Sequence, residues 1–212
     1  MAAVVGVAGG TGAGKSAIVR ALVDRVGGRV IDLDSYYLDR SGLAPDERDR
    51  INYDEPAAID VALLADHLGR LARGEPVEKP VYSFATHTRS GVEAVAPARL
   101  VIVEGLFTLW WTSLRSMLDL KVFVDSPPDL RLIRRIRRDM RERGRTMEQV
   151  LQQHLATVRP MHERYVEPTR AHADVVVVND GPIEDAVEHM LVVVRRRNID
   201  GLAGAAAERQ SA

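Results

Sequence analysis

The sequence predicts a three-layer α/β domain built on a parallel sheet, and three observations predict it. Short, continuous apolar runs recur along the chain, of the kind that form strands buried on both faces. Stretches with helical spacing of apolar residues lie between them. The first apolar run, Ala3 to Ala8, passes into Gly9-Gly10-Thr11-Gly12-Ala13-Gly14-Lys15-Ser16 and then into a helical pattern marked by Ile18, Leu22 and Arg25. The octapeptide fits G-x-x-x-x-G-K-[ST], the phosphate-binding P-loop, and its strand–turn–helix context is the one that motif requires.

Each residue type in that loop has a physical purpose. Glycines let the backbone wrap an anion, with successive N–H groups turned inward. The helix behind it adds unpaired N–H groups and a positive dipole end. Lys15 is expected to reach the β- and γ-phosphates, and the Ser16 hydroxyl to ligate Mg²⁺. The bland alternative is a glycine-rich connection between strand and helix.

Composition narrows the remaining choices. At 212 residues the chain suits one sizeable domain. The expectation is one domain over 1–200 and a disordered tail over 201–212, where small and polar residues dominate. A net charge of −1 argues against nucleic-acid or membrane partners. With no cysteine, disulfides and thiolate metal sites are excluded, which suits a reducing compartment. No apolar run reaches the roughly 18 residues a membrane span needs. The N-terminus has no basic segment ahead of its apolar run, so no signal peptide is read and a cytoplasmic location is expected. A homo-oligomer is compatible with the sequence.

In chain order, Arg29 to Leu33 reads as a second strand, ending at Asp34. A polar loop follows to about Pro56. Ile59 to Arg73 reads as a helix, with Leu63, Leu64, His67, Leu68 and Leu71 at helical spacing, stopped by Gly74-Glu75-Pro76. Alternation about Arg89-Ser90-Gly91 predicts a hairpin-type insertion near 77–97. Leu100–Val103, Leu120–Asp125 and Asp174–Val178 read as further strands. Pro127 to Arg143 and Thr146 to Val158 read as helices, and together they form a candidate lid over about 127–160. Thr146 with Gln149 is a capping-box signature. Pro182 to Arg197 reads as the last helix, with Pro182 near its first turn.

In parallel sheets of this kind ligands gather at the carboxyl ends of the strands. Asp34, Glu104 and Asp125 all fall there. Asp34 and Glu104 are candidates for general base and metal support, the alternative being simple strand-end caps; Asp125 suits a helix start equally well. Residues 131 to 145 hold eight arginines. Arg131, Arg135 and Arg138 share one helical face, while Ile133, Ile136 and Met140 are expected to form the apolar stripe. The functional reading is an arginine-rich lid closing over a transferring phosphate, with Gly144 as its bend; the bland reading is a solvated face. Trp110 and Trp111 are expected to be packing residues.

With those residues in hand the chain resembles uridine kinases, of the family that includes uridine–cytidine kinases and is related to phosphoribulokinase. The resemblance runs from about Val4 to Val178. It rests on GGTGAGKS, DLDSYY at 32–37, NYDEP at 52–56, PVYSFATHTR at 80–89, VIVEG at 101–105, RLIRRIRRDMRERGR at 131–145, Gln153, and EPTRAHAD at 167–174. It implies a P-loop kinase fold with a β-hairpin-type insertion and an Arg-rich helical lid. It further implies ATP as phosphate donor, Mg²⁺, and the 5′-hydroxyl of a pyrimidine ribonucleoside as acceptor. Asp34 would be the base, with Lys15, Arg138 and Arg143 on the phosphates. Asp54 would bind ribose hydroxyls, and Tyr82 and His87 would contact the base. Arg135, Arg145 and Gln153 would complete the acceptor site, while Ser16 and Glu104 would hold the metal. Two positions depart from the family pattern. Glu55 stands where NYDHP is usual and Ser83 where YDF is usual. A kinase for another small alcohol, such as a sugar phosphate or pantothenate, and a nucleotide-binding regulator without turnover are the competing readings.

Overall fold

The structure, a computed structural model, describes residues 1–197; the tail expected over 201–212 lies outside the described residues. Strands β1 (Ala3–Gly9), β2 (Arg29–Asp32), β5 (Leu100–Glu104), β6 (Leu120–Asp125) and β7 (Val175–Val178) form a parallel sheet in the order β2-β5-β1-β6-β7. The pleat divides its side chains between two cores. Val5 and Val7 of β1, Ile102 of β5 and Val122 and Val124 of β6 face one side. There they pack on Ile18 and Leu22 of α1 (Lys15–Val26) and on Val187, Met190 and Leu191 of α8 (Ile183–Arg196). Val4, Ala8, Val101, Val103 and Phe123 face the other side, against Leu64, Leu68 and Leu71 of α3 (Val61–Ala72) and against Tyr36 and Phe107. Sheet between two helical layers is the predicted architecture.

The segment read as polar loop before Pro56 contains a short helix, α2 (Pro45–Asp49), started by Pro45 and by Glu47 accepting from the Ala44 N–H at 2.9 Å. The insertion is an antiparallel hairpin of β3 (Val77–Ser83) and β4 (Thr88–Val95). Its turn is Phe84 to His87, closed by the His87 N–H donating to the Ser83 carbonyl at 2.8 Å. Arg89-Ser90-Gly91, around which the sequence places the hairpin, lies inside β4, beside a register shift between Val81 and Tyr82.

A short helix, α4 (Thr112–Arg115), follows β5. Phe107 packs edge-on against Trp111, and Trp110 against Tyr165, as expected of packing residues. Beyond β6 come α5 (Pro128–Glu142) and α6 (Met147–Gln153), the latter capped reciprocally by Thr146 and Gln149 as predicted. The helical path does not stop at Val158. It continues through a π turn (His154–Val158), α7 (Arg159–Met161), a second π turn (His162–Val166) and a 3₁₀ segment (Glu167–His172). Pro160 and Pro168 each fall in the first turn of a new segment, where the hydrogen-bond pattern of the helix changes.

One expectation for α5 is overturned. Ile133 and Met140 are exposed and Ile136 only half-buried; the buried residues of this helix are Arg135 and Asp139. Its inward face lies over the P-loop and the cleft, so polar partners rather than apolar surface decide which side turns in.

Candidate active site

The P-loop joins β1 to α1. Gly12 and Gly14 take positive φ values of 75° and 92°, and a Cβ on Gly12 would stand 2.2 Å from the Arg131 carbonyl oxygen. Only glycine meets both demands. Gly14 caps α1 without any side-chain hydrogen bond, so the helix N-terminus faces the loop with its N–H groups open. The buried Lys15 ammonium lies inside the loop, donating to the carbonyls of Gly9 at 2.9 Å and Gly10 at 3.1 Å. Burial lowers its pKa, while Glu104 and Asp34 pull it back up.

The carboxylates expected at the strand ends divide. Glu104, the last residue of β5, is buried and accepts a 2.5 Å hydrogen bond from Ser16 Oγ. Asp34 sits in the 3₁₀ turn Leu33–Tyr36, which Asp32 starts by accepting from the Ser35 N–H at 2.9 Å. Burial raises the pKa of both Asp34 and Glu104; Arg143 and Lys15 oppose the rise at Asp34, and Lys15 and Ser16 at Glu104. Asp125 instead pairs with Arg170 at 3.0 Å and does not line this cleft. A hydroxyl and a few hard carboxylate oxygens beside a phosphate loop are a donor set that fits Mg²⁺, which keeps most of its waters and takes one or two protein ligands. Among the described residues there is no cluster of three or more His, Asp or Glu side chains that could by itself hold a metal ion.

One cleft of about 1010 Å³ contains nearly all the predicted residues. At one end are Thr11, Gly12, Gly14, Lys15, Ser16, Asp34 and Glu104. At the other are Asp54, Tyr82, His87 and Gln153, with Arg135, Arg138, Arg143 and Arg145 overhead. Asp54 Oδ2 accepts from Thr157 Oγ1 at 2.7 Å and from Gln153 Nε2 at 3.4 Å. Gln153 Oε1 in turn accepts from Arg135 and Arg145, each at 2.8 Å. Arg135 also reaches the P-loop, donating to Thr11 Oγ1 at 3.4 Å.

The far end is an aromatic box. Tyr53 stacks on His87 with ring centroids 4.2 Å apart and planes 10° apart, and Tyr82 hydroxyl lies 3.3 Å from His87 Nδ1. Tyr37 and Phe84 close the corner, and Arg143 stands 4.3 Å over the Phe84 ring. His87 is the one non-glycine residue at positive φ among those described, at 54°, a conformation that costs free energy and needs its surroundings to hold it. Burial lowers its pKa, so the ring is neutral near pH 7.

Sequence reasoning missed Tyr37, Tyr53, Phe84, Thr157 and Asp139. The first three stand inside the quoted motifs DLDSYY, NYDEP and PVYSFATHTR, but only their neighbours were given roles. Glu55 and Ser83, the two departures from the family pattern, do not line the cleft. Glu55 starts the 3₁₀ turn Pro56–Ala58, and Ser83 closes the hairpin turn.

A parallel sheet of this order, a P-loop between β1 and α1 and an arginine-bearing helix over the loop define the P-loop kinase fold. Solved structures agree on the fold. D-glycerate 3-kinase from Cryptococcus neoformans superposes with a TM-score of 0.57 at 17% identity, over 87% of each chain. Shikimate kinase from Bacteroides thetaiotaomicron gives 0.54 at 17%, over 91% of this chain and 98% of that one. Residues 4–185 match the family model described as the Phosphoribulokinase / Uridine kinase family. The chain is 46% identical to the uridine kinase of Geobacillus kaustophilus, over 91% of this chain and 93% of the relative, and 45% identical to that of Deinococcus deserti, over 91% and 95%. The chain belongs to the phosphoribulokinase/uridine kinase family.

Proposed function

We propose that this protein transfers the γ-phosphoryl group of ATP, with Mg²⁺, to the 5′-hydroxyl of a pyrimidine ribonucleoside, making UMP or CMP from uridine or cytidine. One observation carries the reading. A single cleft joins a P-loop and a strand-end carboxylate to an aromatic box with a hydrogen-bonding acid at its edge. Phosphoryl transfer asks for that combination: charge neutralisation, an in-line acceptor, and a base for its hydroxyl.

In this reading the P-loop backbone and Lys15 bind the phosphates, and Arg138 and Arg143 reach them from α5 and the turn behind it. Ser16 and Glu104 are the residues that would hold the metal, which when bound would neutralise charge on the transferring phosphate. Asp34 takes the proton of the acceptor hydroxyl. Asp54 accepts from the ribose diol, using Oδ1, which has no partner among the described residues. Tyr53, Tyr82, Phe84 and the neutral His87 hold the base. Arg135, Arg145 and Gln153 link the two halves. The reaction returns free nucleosides to the nucleotide pool, as pyrimidine salvage requires, and the cysteine-free composition suits the cytoplasm. No helix among the described residues is long and apolar enough to cross a membrane.

The test is a kinetic comparison of uridine, cytidine, deoxyuridine, adenosine and pantothenate, with products identified by mass spectrometry. Uridine or cytidine should be the best acceptor. A site built to bond a hydroxyl rejects analogues lacking it by orders of magnitude, so deoxyuridine should be far poorer. Activity on pantothenate with none on any nucleoside would sink the assignment. A second prediction concerns closure: protease cleavage within 131–146 should slow when an ATP analogue and uridine are both bound. Equal cleavage with and without them would remove the lid from the reading.

A further inference from the structure

The arginines over the cleft do not hold themselves in place. Guanidinium groups repel one another, and four of them converge on a volume the size of one side chain. The carboxylate of Asp139, with no exposed surface, lies at their centre. Arg138 Nη2 is 2.8 Å from it, Arg145 Nη1 3.2 Å, and the Nε atoms of Arg135 and Arg143 are each 3.7 Å away. The main chain of the same residue acts as well. Its carbonyl accepts from the N–H of Arg143 at 3.1 Å and of Arg145 at 3.2 Å, so it also sets the turn that Gly144 makes at φ 63°. Burial alone would raise the pKa of this acid, but Arg138, Arg143 and Arg135 hold it below the usual carboxylate range, so it stays ionised.

We propose that Asp139 is a positioning residue for phosphoryl transfer: by gathering Arg135, Arg138, Arg143 and Arg145 on one carboxylate it fixes where their guanidinium groups stand between the P-loop and the acceptor end of the cleft. Their other partners span both halves of the cleft. Arg135 donates to Thr11 Oγ1 of the P-loop at 3.4 Å, and Arg143 stands 4.3 Å over the Phe84 ring at the acceptor end. Arg135 and Arg145 share Gln153 Oε1, one hydrogen bond from Asp54. One carboxylate thus sits on the divide between donor and acceptor halves. It also occupies guanidinium N–H groups that a phosphate would otherwise take. The inference rests on the proposed phosphotransfer, but it makes a claim about anion binding that phosphotransfer alone does not.

The test uses the full-length protein and two variants, with inorganic tripolyphosphate as the binding probe and uridine turnover as the kinetic readout. Asp139→Asn removes the charge and keeps the shape. It should bind tripolyphosphate several-fold more tightly, because the competing carboxylate is gone. It should nonetheless turn over roughly 10- to 100-fold more slowly, the usual cost of misdirected catalytic groups. Local unfolding would weaken binding and turnover together, so the opposite signs separate positioning from mere structure. Asp139→Glu keeps the charge and displaces it by a methylene; tripolyphosphate affinity should stay parental while kcat falls. Tripolyphosphate bound no tighter by the Asn variant, or kcat within about twofold of parental, would overturn the proposal. If Asp139→Asn does not fold, Asp139→Glu decides, and a parental kcat there overturns it. Absence of uridine turnover in the parent would instead fault the functional reading, and the tripolyphosphate comparison would still stand.

Discussion

Asp34→Asn should bind ATP as the parent does and turn over roughly 10²–10⁴-fold more slowly, the usual worth of a general base. The substitution is close to isosteric, and Asp34 makes no side-chain hydrogen bond that helps to start its turn; Asp32 does that by accepting from the Ser35 N–H and hydroxyl at 2.9 and 2.8 Å. The backbone should therefore stay as it is and only the proton acceptor be lost. The environment sharpens the prediction. Burial raises the Asp34 pKa and Asp32 adds to the rise, while Arg143, Lys15 and Arg138 counter it. A base with a raised pKa is protonated at a higher pH, so kcat/KM should fall as pH drops, through a limb above the ordinary carboxylate range. Arg143→Ala removes the strongest opposing charge and should move that limb to still higher pH. Pre-steady-state turnover, ATP-analogue titration and a pH profile check these points together. Collapse of ATP affinity with kcat retained would make Asp34 a binding residue instead.

Much of the architecture was legible because burial on both faces leaves a plain mark. Leu100 to Glu104 is buried along its whole length, and such a run has few other readings. The P-loop was legible because its glycines answer a backbone demand that other residues cannot meet. The inner face of α5 was not. Arginines lie on several sides of that helix, and which of them turn inward depends on what stands opposite: Gln153, Asp54 and the P-loop arrive from distant sequence. A helical wheel counts apolar residues and so chose Ile133 and Met140, which are exposed. The hairpin turn was missed because Phe84-Ala85-Thr86-His87 has no glycine or asparagine, and its strain rests on His87 instead. The helical path through Pro160 and Pro168 was missed because proline reads as a stop until π turns reset the segment. Asp139 was missed because an acid in a run of arginines reads as an ordinary local ion pair. That it gathers four arginines is a fact of the fold.

Lys15→Ala should lower kcat/KM by roughly 10²–10³-fold, the scale of one lost preorganised charge at a transferring group, about 2.7–4 kcal/mol. The ammonium is buried, and its neighbours are carbonyl oxygens and two acids, Glu104 and Asp34. Removing it therefore does two things. It takes a positive charge from the phosphate side of the cleft, and it removes the group that lowers the pKa of both acids. Glu104 and Asp34 would then be harder to ionise, which weakens metal support and base function at once, so the loss should appear in kcat as well as in ATP affinity. Lys15→Arg is not a conservative change here. The ammonium fits between the Gly9 and Gly10 carbonyls at 2.9 and 3.1 Å, and a planar guanidinium is wider and needs a flatter opening. We expect Arg at this position to restore little of the activity. Steady-state kinetics on both variants, with thermal melts to show that the fold persists, decide the matter. Near-parental turnover by Lys15→Ala would remove the P-loop lysine from the mechanism. Full rescue by Lys15→Arg would mean that charge alone suffices and the carbonyl pocket does not select its shape.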